Sequence, residues 1–199
     1  MSDYHHGNLR AALLSQAVKV IGEKGVEGLS LRKVAKDLGV SHAAPTRHFK
    51  SKADLLSAIV RASYQELTKA ILDEAASAEE TNAIIRLNLM ARSTIRWAMN
   101  NRAKYSVMTN PDVSRFADQD LKVVLGDFVK IVSGALTEAQ SQGFRKGTSA
   151  KGLLIYGVGA ALGAATVVTD ELMRSVLGSP NDEDIITEIA NQIIPLNGI

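Results

Sequence analysis

The sequence predicts an all-α protein of about nine helices. Apolar residues recur at the three- and four-residue spacing of a helix face over most of the 199 residues. Glycine, proline and capping residues interrupt this pattern where helices are expected to end, and no segment alternates apolar with polar residues as a half-buried strand does. We therefore expect an N-terminal three-helix domain followed by a C-terminal helical domain.

Residues 30–49 spell two short helices joined by a tight glycine turn. Ser30 is the expected N-cap of the first helix, and Gly39 ends it because glycine readily takes the left-handed conformation of a C-terminal cap. Ser41 is the expected cap of the second helix, in which Pro45 lacks the N–H that would bond back to Ser41. The short or polar side chains of this second helix suit the major groove of DNA: His42, Ala43, Ala44, Thr46, Arg47 and His48. The pattern is that of a helix-turn-helix and predicts DNA binding.

The other helices follow from the same spacing and stop signals. The first helix of the chain is expected from about Leu9 to Lys24, and a longer helix from about Lys52 to Ala75. Asn110-Pro-Asp112 marks a clear break. Further helices are expected over about 84–97, 105–109, 116–143, 150–177 and 182–194.

Positive charge is concentrated near the N-terminus. Residues 1–60 carry nine Lys or Arg and five Asp or Glu, a net charge of +4, whereas residues 61–199 carry fourteen and sixteen, a net charge of −2. All four histidines also lie in the first part: His5, His6, His42 and His48. A polyanionic partner such as DNA is therefore favoured. A metal site at His5 and His6 is a weak alternative because they have no third ligand at a helical spacing, and no cofactor is predicted.

Two features that the sequence lacks indicate where the protein is located and which redox chemistry is excluded. Cysteine is absent, which excludes a disulfide framework and a cysteine metal site. The first residues lack the basic and then apolar pattern of a secretory signal, so we expect a cytoplasmic protein.

The stretch from Gly152 to Thr169 carries no charge over eighteen residues, the minimum length of a membrane span. Glycine and alanine dominate it, and their transfer to lipid is weakly driven, so a buried helix is favoured and no membrane partner is expected. Gly157 to Gly163 suggests a dinucleotide-binding turn, but the glycine spacing is wrong by one residue and no second strand follows. The small side chains instead flatten one face so that another backbone can approach closely.

Three segments around the helix-turn-helix resemble, in order and without a gap, the DNA-binding domain of the tetracycline-repressor (TetR) family: Tyr4-His-His-Gly-Asn-Leu-Arg10, Gly25-Val-Glu-Gly-Leu-Ser30 and His48-Phe-Lys-Ser-Lys-Ala-Asp-Leu-Leu56. The resemblance covers residues 4–67 and leaves 68–199 as an effector-binding and dimerisation domain. It implies a homodimeric transcriptional regulator, a repressor, that binds a pseudo-palindromic operator and responds to a small molecule. Trp97 and Tyr156-Gly157 further resemble the branch of the family with a WHG-type C-terminal domain.

The resemblance also implies roles for single residues. Arg32 is expected at a base or a phosphate, and Ser30 and Ser41 can cap helices and donate a hydroxyl to phosphate. Base edges are expected to meet His42, Ala43 and Ala44, and backbone phosphates to meet Thr46, His48 and Lys52. Thr46 departs from the family pattern, which usually has tyrosine there, so its reach to a phosphate is shorter.

Two further sites are expected in residues 68–199. An apolar effector pocket would draw on residues that could equally be plain core: Met90, Trp97, Tyr105, Met108, Phe116, Phe128 and Tyr156. In the TetR family the last two long helices commonly form the dimer interface, which the small residues of this stretch resemble: Gly159, Ala160, Ala161, Gly163 and Ala164.

Two other classes of function remain open on the residues alone. An all-α enzyme is disfavoured because no paired-carboxylate, Ser/His/Asp or metal-spaced set of residues stands out. A binding module without a DNA role, in which residues 30–49 form an ordinary amphipathic hairpin with a solvated basic face, would leave the clustered positive charge unexplained.

Overall fold

A computed structural model of the protein describes residues 9–77, 81–178 and 181–196, and all regular structure in these ranges is helical. Residues 4–8, which include Tyr4, His5 and His6, therefore lie outside the described residues. The all-α prediction is confirmed. In chain order the α-helices are α1 Leu9–Lys24, α2 Leu31–Asp37, α3 Lys52–Ser77, α4 Ala83–Asn100, α5 Arg102–Met108, α6 Val113–Phe116, α7 Gln119–Ser141, α8 Ala150–Thr169, α9 Glu171–Leu177 and α10 Asp182–Ile193, with a 3₁₀ helix at Pro45–Arg47.

The described residues form two compact units, the first made of 9–63 and 102–124. In this unit α1 packs against both α2 and α5, and a side chain at Gly22 would meet Ala103 at 3.6 Å. Its core consists of fully buried apolar side chains, among them Leu13, Val20, Val34, Phe49, Leu55, Val107 and Leu121. The segment 102–124 thus joins the N-terminal unit, which differs from the predicted division of the chain at residue 67 because α5 covers α1.

The second unit is made of residues 64–101 and 125–196. Helix α4 lies at its centre and packs against α8 and α10. A buried amide joins α4 to the end of α10: the Asn88 Nδ2 donates to Asn191 Oδ1 at 3.0 Å and to the Ile194 carbonyl at 2.9 Å. These bonds satisfy a polar side chain that would otherwise destabilise an apolar core.

An ion-pair network also holds α4 within the second unit. The Arg96 guanidinium lies 2.8 Å from a Glu183 carboxylate oxygen on α10 and 3.0 Å from a Glu74 oxygen on α3. The hydrogen bond from Arg96 lowers the pKa of Glu183, and the two carboxylates raise the pKa of Arg96. One arginine therefore joins three helices around the core.

Two of the predicted long helices are each divided by an aspartate. The expected helix over 116–143 is interrupted before α7, where Asp118 Oδ1 accepts the Leu121 backbone N–H at 2.7 Å. The expected helix over 150–177 is interrupted at Asp170, whose Oδ1 accepts the Met173 N–H at 2.8 Å and so caps α9. Apolar spacing continues across both positions, and the short carboxylate side chains begin a new helix there because they satisfy its first N–H groups.

Among the described helices, α8 is long and apolar enough to cross a membrane by length and composition. Only 22% of its most apolar eighteen residues are buried, so the expectation of a buried helix is not met over most of its length. The buried side chains of α8, which include Leu153, Ala161 and Val168, pack into the second unit.

Candidate nucleic-acid interface and ligand cavity

The first half of the helix-turn-helix forms as the sequence predicts. Ser30 has extended backbone angles and its hydroxyl oxygen accepts the Lys33 N–H at 3.1 Å, which caps α2. Gly39 takes a left-handed φ of 66° just beyond the helix. The Val40 N–H then donates to the Ala35 carbonyl at 3.0 Å, so the helix ends in a Schellman motif. These bonds fix the direction in which the chain leaves α2.

The second half is tighter than the predicted helix. Residues 42–44 form a turn and Pro45–Arg47 a single 3₁₀ turn, so the expected α-helix with a Ser41 side-chain cap is wrong. The Ser41 carbonyl instead accepts the Ala44 N–H at 2.9 Å, and the Pro45 carbonyl accepts the Phe49 N–H at 2.8 Å. Pro45 has no N–H to continue an α-helical ladder, and it is buried at the start of the 3₁₀ helix, where its fixed φ is tolerated.

Residues 41–48, which we call the recognition segment, present a largely polar surface. The exposed members are Ser41, His42, Ala43, Thr46 and Arg47, whereas Ala44 and His48 are half-buried. The Thr46 hydroxyl donates to the Ala43 carbonyl at 2.9 Å, so its proton is already engaged within the segment. Phe49 is buried beneath it, as predicted, and the Arg10 guanidinium lies 5.1 Å from the centroid of its ring.

Helix α3 begins beside the recognition segment with a reciprocal cap that the sequence reasoning missed. The Ser51 hydroxyl oxygen accepts the Asp54 N–H at 3.1 Å, and Asp54 Oδ2 accepts the Lys50 N–H at 2.8 Å. A serine followed three residues later by an acidic residue is the signal that could have identified it. The half-buried Lys52, predicted near a phosphate, lies in the first turn of this helix.

The cations of this region have few carboxylate neighbours. Asp37 lies 2.9 Å from Lys33 Nζ, and the bond from Lys33 is the main reason that the pKa of Asp37 is lowered. Within the described residues, the exposed Arg32, Lys36 and Arg47 have no carboxylate oxygen within 4.0 Å. Their charge is therefore available to a polyanion.

The second unit contains an apolar cavity of about 60 Å³ that is partly open to solvent. Side chains from α3, α4, α7, α8 and the end of α10 line it. Three predicted pocket residues are brought together there, namely Met90, Phe128 and Tyr156. Phe128 also meets the Tyr64 ring edge to face, with centroids 5.3 Å apart.

The other four predicted pocket residues do not line this cavity. Trp97 lies two turns beyond Met90 on α4 and borders a separate groove with Arg96. Tyr105, Met108 and Phe116 belong to the first unit, because the chain leaves the second unit after α4. Several lining residues were not predicted: Leu87, Leu136, Phe144 and Leu153. Their apolar spacing is the same for a cavity wall and for a filled core.

The small residues of α8 divide between two faces. Ala161 is 7% exposed and lies in an apolar cluster of its own unit, with Ala160 packed partly against the same cluster and Ala164 against a second one. Ala161 is therefore not available to a partner, whereas Ala160 and Ala164 are half-buried. The reason is that this face of α8 packs on α4. Gly159 and Gly163 are exposed, and a Cβ at either position would meet nothing within 4 Å.

Large, exposed apolar side chains lie before and after Gly159 and Gly163 in the sequence. Ile155 on α8 is 65% exposed, and Leu172 and Val176 on α9 are 71% and 72% exposed. Such side chains on neighbouring helices mark a surface that a partner could cover. Helix α10 differs, because its apolar residues Ile186, Ala190 and Ile193 are buried in their own unit.

The described residues contain no group of three or more His, Asp or Glu side chains placed to hold a metal ion. The two features with a binding geometry are therefore the recognition segment with its cations in the first unit and the apolar cavity in the second.

Comparison with known proteins relates the first of these features to a family. Residues 13–59 match the family model described as bacterial regulatory proteins, tetR family. Over 86 residues the chain is 33% identical to the HTH-type transcriptional regulator BetI of Rhizobium meliloti, a match that covers 41% of this chain and 42% of BetI. The chain thus matches less than half the length of this curated relative.

Solved structures resemble the chain over nearly its whole length. A protein of unknown function from Rhodococcus sp. RHA1 has a TM-score of 0.80 and 27% identity, with 97% of each chain covered. AibR, solved in complex with isovaleryl coenzyme A and operator DNA, has a TM-score of 0.74 and 18% identity, with 94% of this chain and 98% of AibR covered. At that identity the likeness to AibR concerns the fold alone.

Proposed function

Because the chain belongs to the TetR family of bacterial regulatory proteins, we propose that it is a DNA-binding transcriptional regulator, a repressor that responds to a small molecule. The observation that carries this proposal is the exposed recognition segment beside Arg32 and Lys36, whose charges have no carboxylate neighbour within the described residues. We expect a cytoplasmic protein without a catalytic role. Its assignment to the WHG-type branch stays a prediction.

The proposed DNA contacts follow from exposure and chemistry. His42, Ala43 and Arg47 are exposed on the recognition segment and would face base edges, with the half-buried Ala44 beside them. The hydroxyls of Ser30 and Ser41, together with His48 and Lys52, would bind phosphates, which position the protein without reading sequence. Thr46 would face a phosphate without donating to it, because its hydroxyl proton is engaged by the Ala43 carbonyl. Arg32 can donate two parallel hydrogen bonds to guanine and is our candidate for direct base readout.

The regulator would act as a homodimer on a pseudo-palindromic operator. The proposed interface is the exposed apolar surface of α8 and α9, which includes Ile155, Leu172 and Val176 as well as the exposed Gly159 and Gly163. Two-fold symmetry would present two recognition segments to two half-sites of DNA.

The effector would bind in the cavity of the second unit. Its lining is almost entirely apolar, as ligand sites commonly are. To regulate, the effector must bind more tightly to the conformation with the lower operator affinity. AibR, which shares the fold, has been solved with both a coenzyme A ester and operator DNA, and this supports a ligand-responsive regulator.

The test is a selection of binding sequences from a pool of random DNA duplexes with the purified protein. The enriched duplex and a scrambled duplex are then compared by fluorescence anisotropy at several salt concentrations. We expect the enriched duplex to bind at least about a thousandfold more tightly. Arg32→Ala should weaken binding to the enriched duplex by about 1–3 kcal/mol.

Lys130→Ala is the matched control, because it removes one exposed cation from α7, far along the chain from the recognition segment. It should leave binding to both duplexes unchanged. If no sequence is enriched and all duplexes bind alike, the proposed function is wrong.

A further inference from the structure

The loop between α7 and α8 closes one side of the cavity. Helix α7 ends in a Schellman motif, in which the Phe144 N–H donates to the Ala139 carbonyl at 3.0 Å and the Gly143 N–H to the Gln140 carbonyl at 3.1 Å. The motif turns Phe144 inward, where it is buried and lines the cavity. The end of the helix and the wall of the cavity are therefore built from the same residues.

Arg145 follows in a left-handed conformation, with a φ of 44°, which is uncommon for a residue with a large side chain. Its guanidinium carbon lies 5.7 Å from the centroid of the Phe144 ring and 5.2 Å from that of Tyr156. Both rings line the cavity, and Tyr156 is also 48% exposed. Arg145 is itself exposed and does not line the cavity, so its guanidinium lies next to two rings of the cavity wall.

The sequence around this position carries only positive charge. Between Glu138 and Asp170 the sequence contains Arg145, Lys146 and Lys151 and no carboxylate. Within the described residues, no carboxylate oxygen lies within 4.0 Å of the Arg145 guanidinium. Stacking on aromatic rings engages the face of a guanidinium and leaves its edge N–H groups free to donate.

We infer that the cavity takes an amphiphilic anion, a slender aliphatic chain whose carboxylate or phosphate group is bound by Arg145. The inference rests on the proposed function, because it names the class of effector for the same cavity. The cavity holds only about 60 Å³ but is partly open to solvent, so a flexible chain can lie partly inside it and partly along its opening. A guanidinium presents two parallel donors that match the oxygens of either anion.

The test compares three probes with the same eight-carbon chain, namely octanoate, octyl phosphate and octan-1-ol, by isothermal titration calorimetry. We expect at least one of the anions to bind about tenfold more tightly than the alcohol. Arg145→Gln should abolish this preference while binding of octan-1-ol is retained. Lys146→Gln removes the neighbouring cation, which does not stack on the two rings, and should leave the preference intact.

Thermal unfolding of each variant checks that the loop still folds. The inference is overturned if the alcohol binds as tightly as both anions, if the preference survives Arg145→Gln, or if no probe binds. A preference for octanoate over octyl phosphate, or the reverse, identifies the anionic group.

Titration of the enriched DNA duplex in the same samples separates this inference from the proposed function. If octan-1-ol releases the duplex to the same extent as the anions do, the cavity binds the effector but Arg145 does not bind its head group. If no probe binds but the duplex is still bound sequence-specifically, the DNA-binding role stands and the ligand class is wrong.

Discussion

Asp118 joins two interactions at the beginning of α7. Its Oδ1 accepts the Leu121 N–H at 2.7 Å, and its Oδ2 lies 3.3 Å from the Arg61 guanidinium on α3. The bond from Leu121 is the largest cause of the lowered pKa of Asp118, and Arg61 adds to it. Ionised Asp118 therefore stabilises the folded state.

Asp118→Ala should lower the free energy of unfolding by about 1 kcal/mol near neutral pH, because the cap of α7 is lost. A lowered pKa contributes stability that is present above the ordinary aspartate pKa of about 3.9 and disappears as pH falls through the lowered value. Urea unfolding at neutral and at strongly acidic pH measures both effects. Asp120→Ala is the control, since that 79%-exposed carboxylate also meets Arg61 and should matter less. Equal losses for both variants would contradict the capping role.

Thr46 stands where the family usually has tyrosine, and its hydroxyl proton is engaged by the Ala43 carbonyl. Thr46→Tyr should tighten binding to the enriched and the scrambled duplex alike by about 0.5–1.5 kcal/mol, because the longer side chain can reach a phosphate. Thr46→Val keeps the shape without the hydroxyl and should change either affinity little. Anisotropy titrations measure all four constants, and a gain restricted to the enriched duplex would mean a base contact instead.

At the scale of the secondary-structure element, glycine has opposite effects on stability at the end of a helix and in its interior. Gly39 lies beyond α2 with a φ of 66°, whereas Gly134 is exposed within α7. A Cβ at either position would meet nothing within 4 Å, so the space around them does not distinguish them. The difference lies in the backbone conformation alone.

Gly39→Ala should destabilise the protein by about 1–2 kcal/mol, since an alanine resists the left-handed region. Gly134→Ala should stabilise it by up to about 1 kcal/mol, since alanine is the better helix former. Chemical denaturation of the two variants beside the parent protein measures both shifts. Shifts of the same sign would mean that α2 does not end at Gly39.

Local chemistry explains which elements could be predicted from the sequence. Ser30 and Gly39 act on N–H and carbonyl groups within five residues of themselves, so α2 and its turn were predictable. Asp118 and Asp170 were missed because apolar spacing runs through both and hides the new helix starts. The shortened recognition segment could not be predicted, because a proline near the start of a helix is compatible with an α-helix as well as with the 3₁₀ turn that forms here.

The cavity could be predicted only in part, because its walls come from helices far apart in the sequence. The size and apolar character of the side chains predict Met90, Phe128 and Tyr156 as pocket residues. Nothing in the local sequence distinguishes them from Tyr105, which packs in the other unit. Arg145 carried no sequence signal, since its position over two rings depends on how the preceding helix ends.

At the scale of the whole molecule, the proposed dimer depends on apolar surface that the monomer leaves exposed. Val176→Asp places a charge on α9 at a side chain that is 72% exposed. It should leave the monomer folded but separate the subunits, because a carboxylate buried without a partner costs several kcal/mol. Sedimentation velocity should show a single species of half the mass, with weaker operator binding.

Val123→Asp is the control for the dimer, since Val123 on α7 is 53% exposed and lies outside the proposed interface. It should sediment as the parent protein does. If Val176→Asp remains a dimer while Val123→Asp dissociates, the interface lies elsewhere.

The open space beside Gly159 and Gly163 determines which substitutions the monomer tolerates at these two positions. A glycine inside a helix costs about 0.5–1 kcal/mol relative to alanine, and here no neighbour within the unit excludes a larger side chain. A library of substitutions at these two positions should therefore yield abundant, folded protein from most of its members. If a partner subunit occupies the space, the variants with larger side chains should be expressed but fail to silence a reporter gene. Comparing expression with silencing would then identify the residues at the contact between subunits without a structure of the dimer.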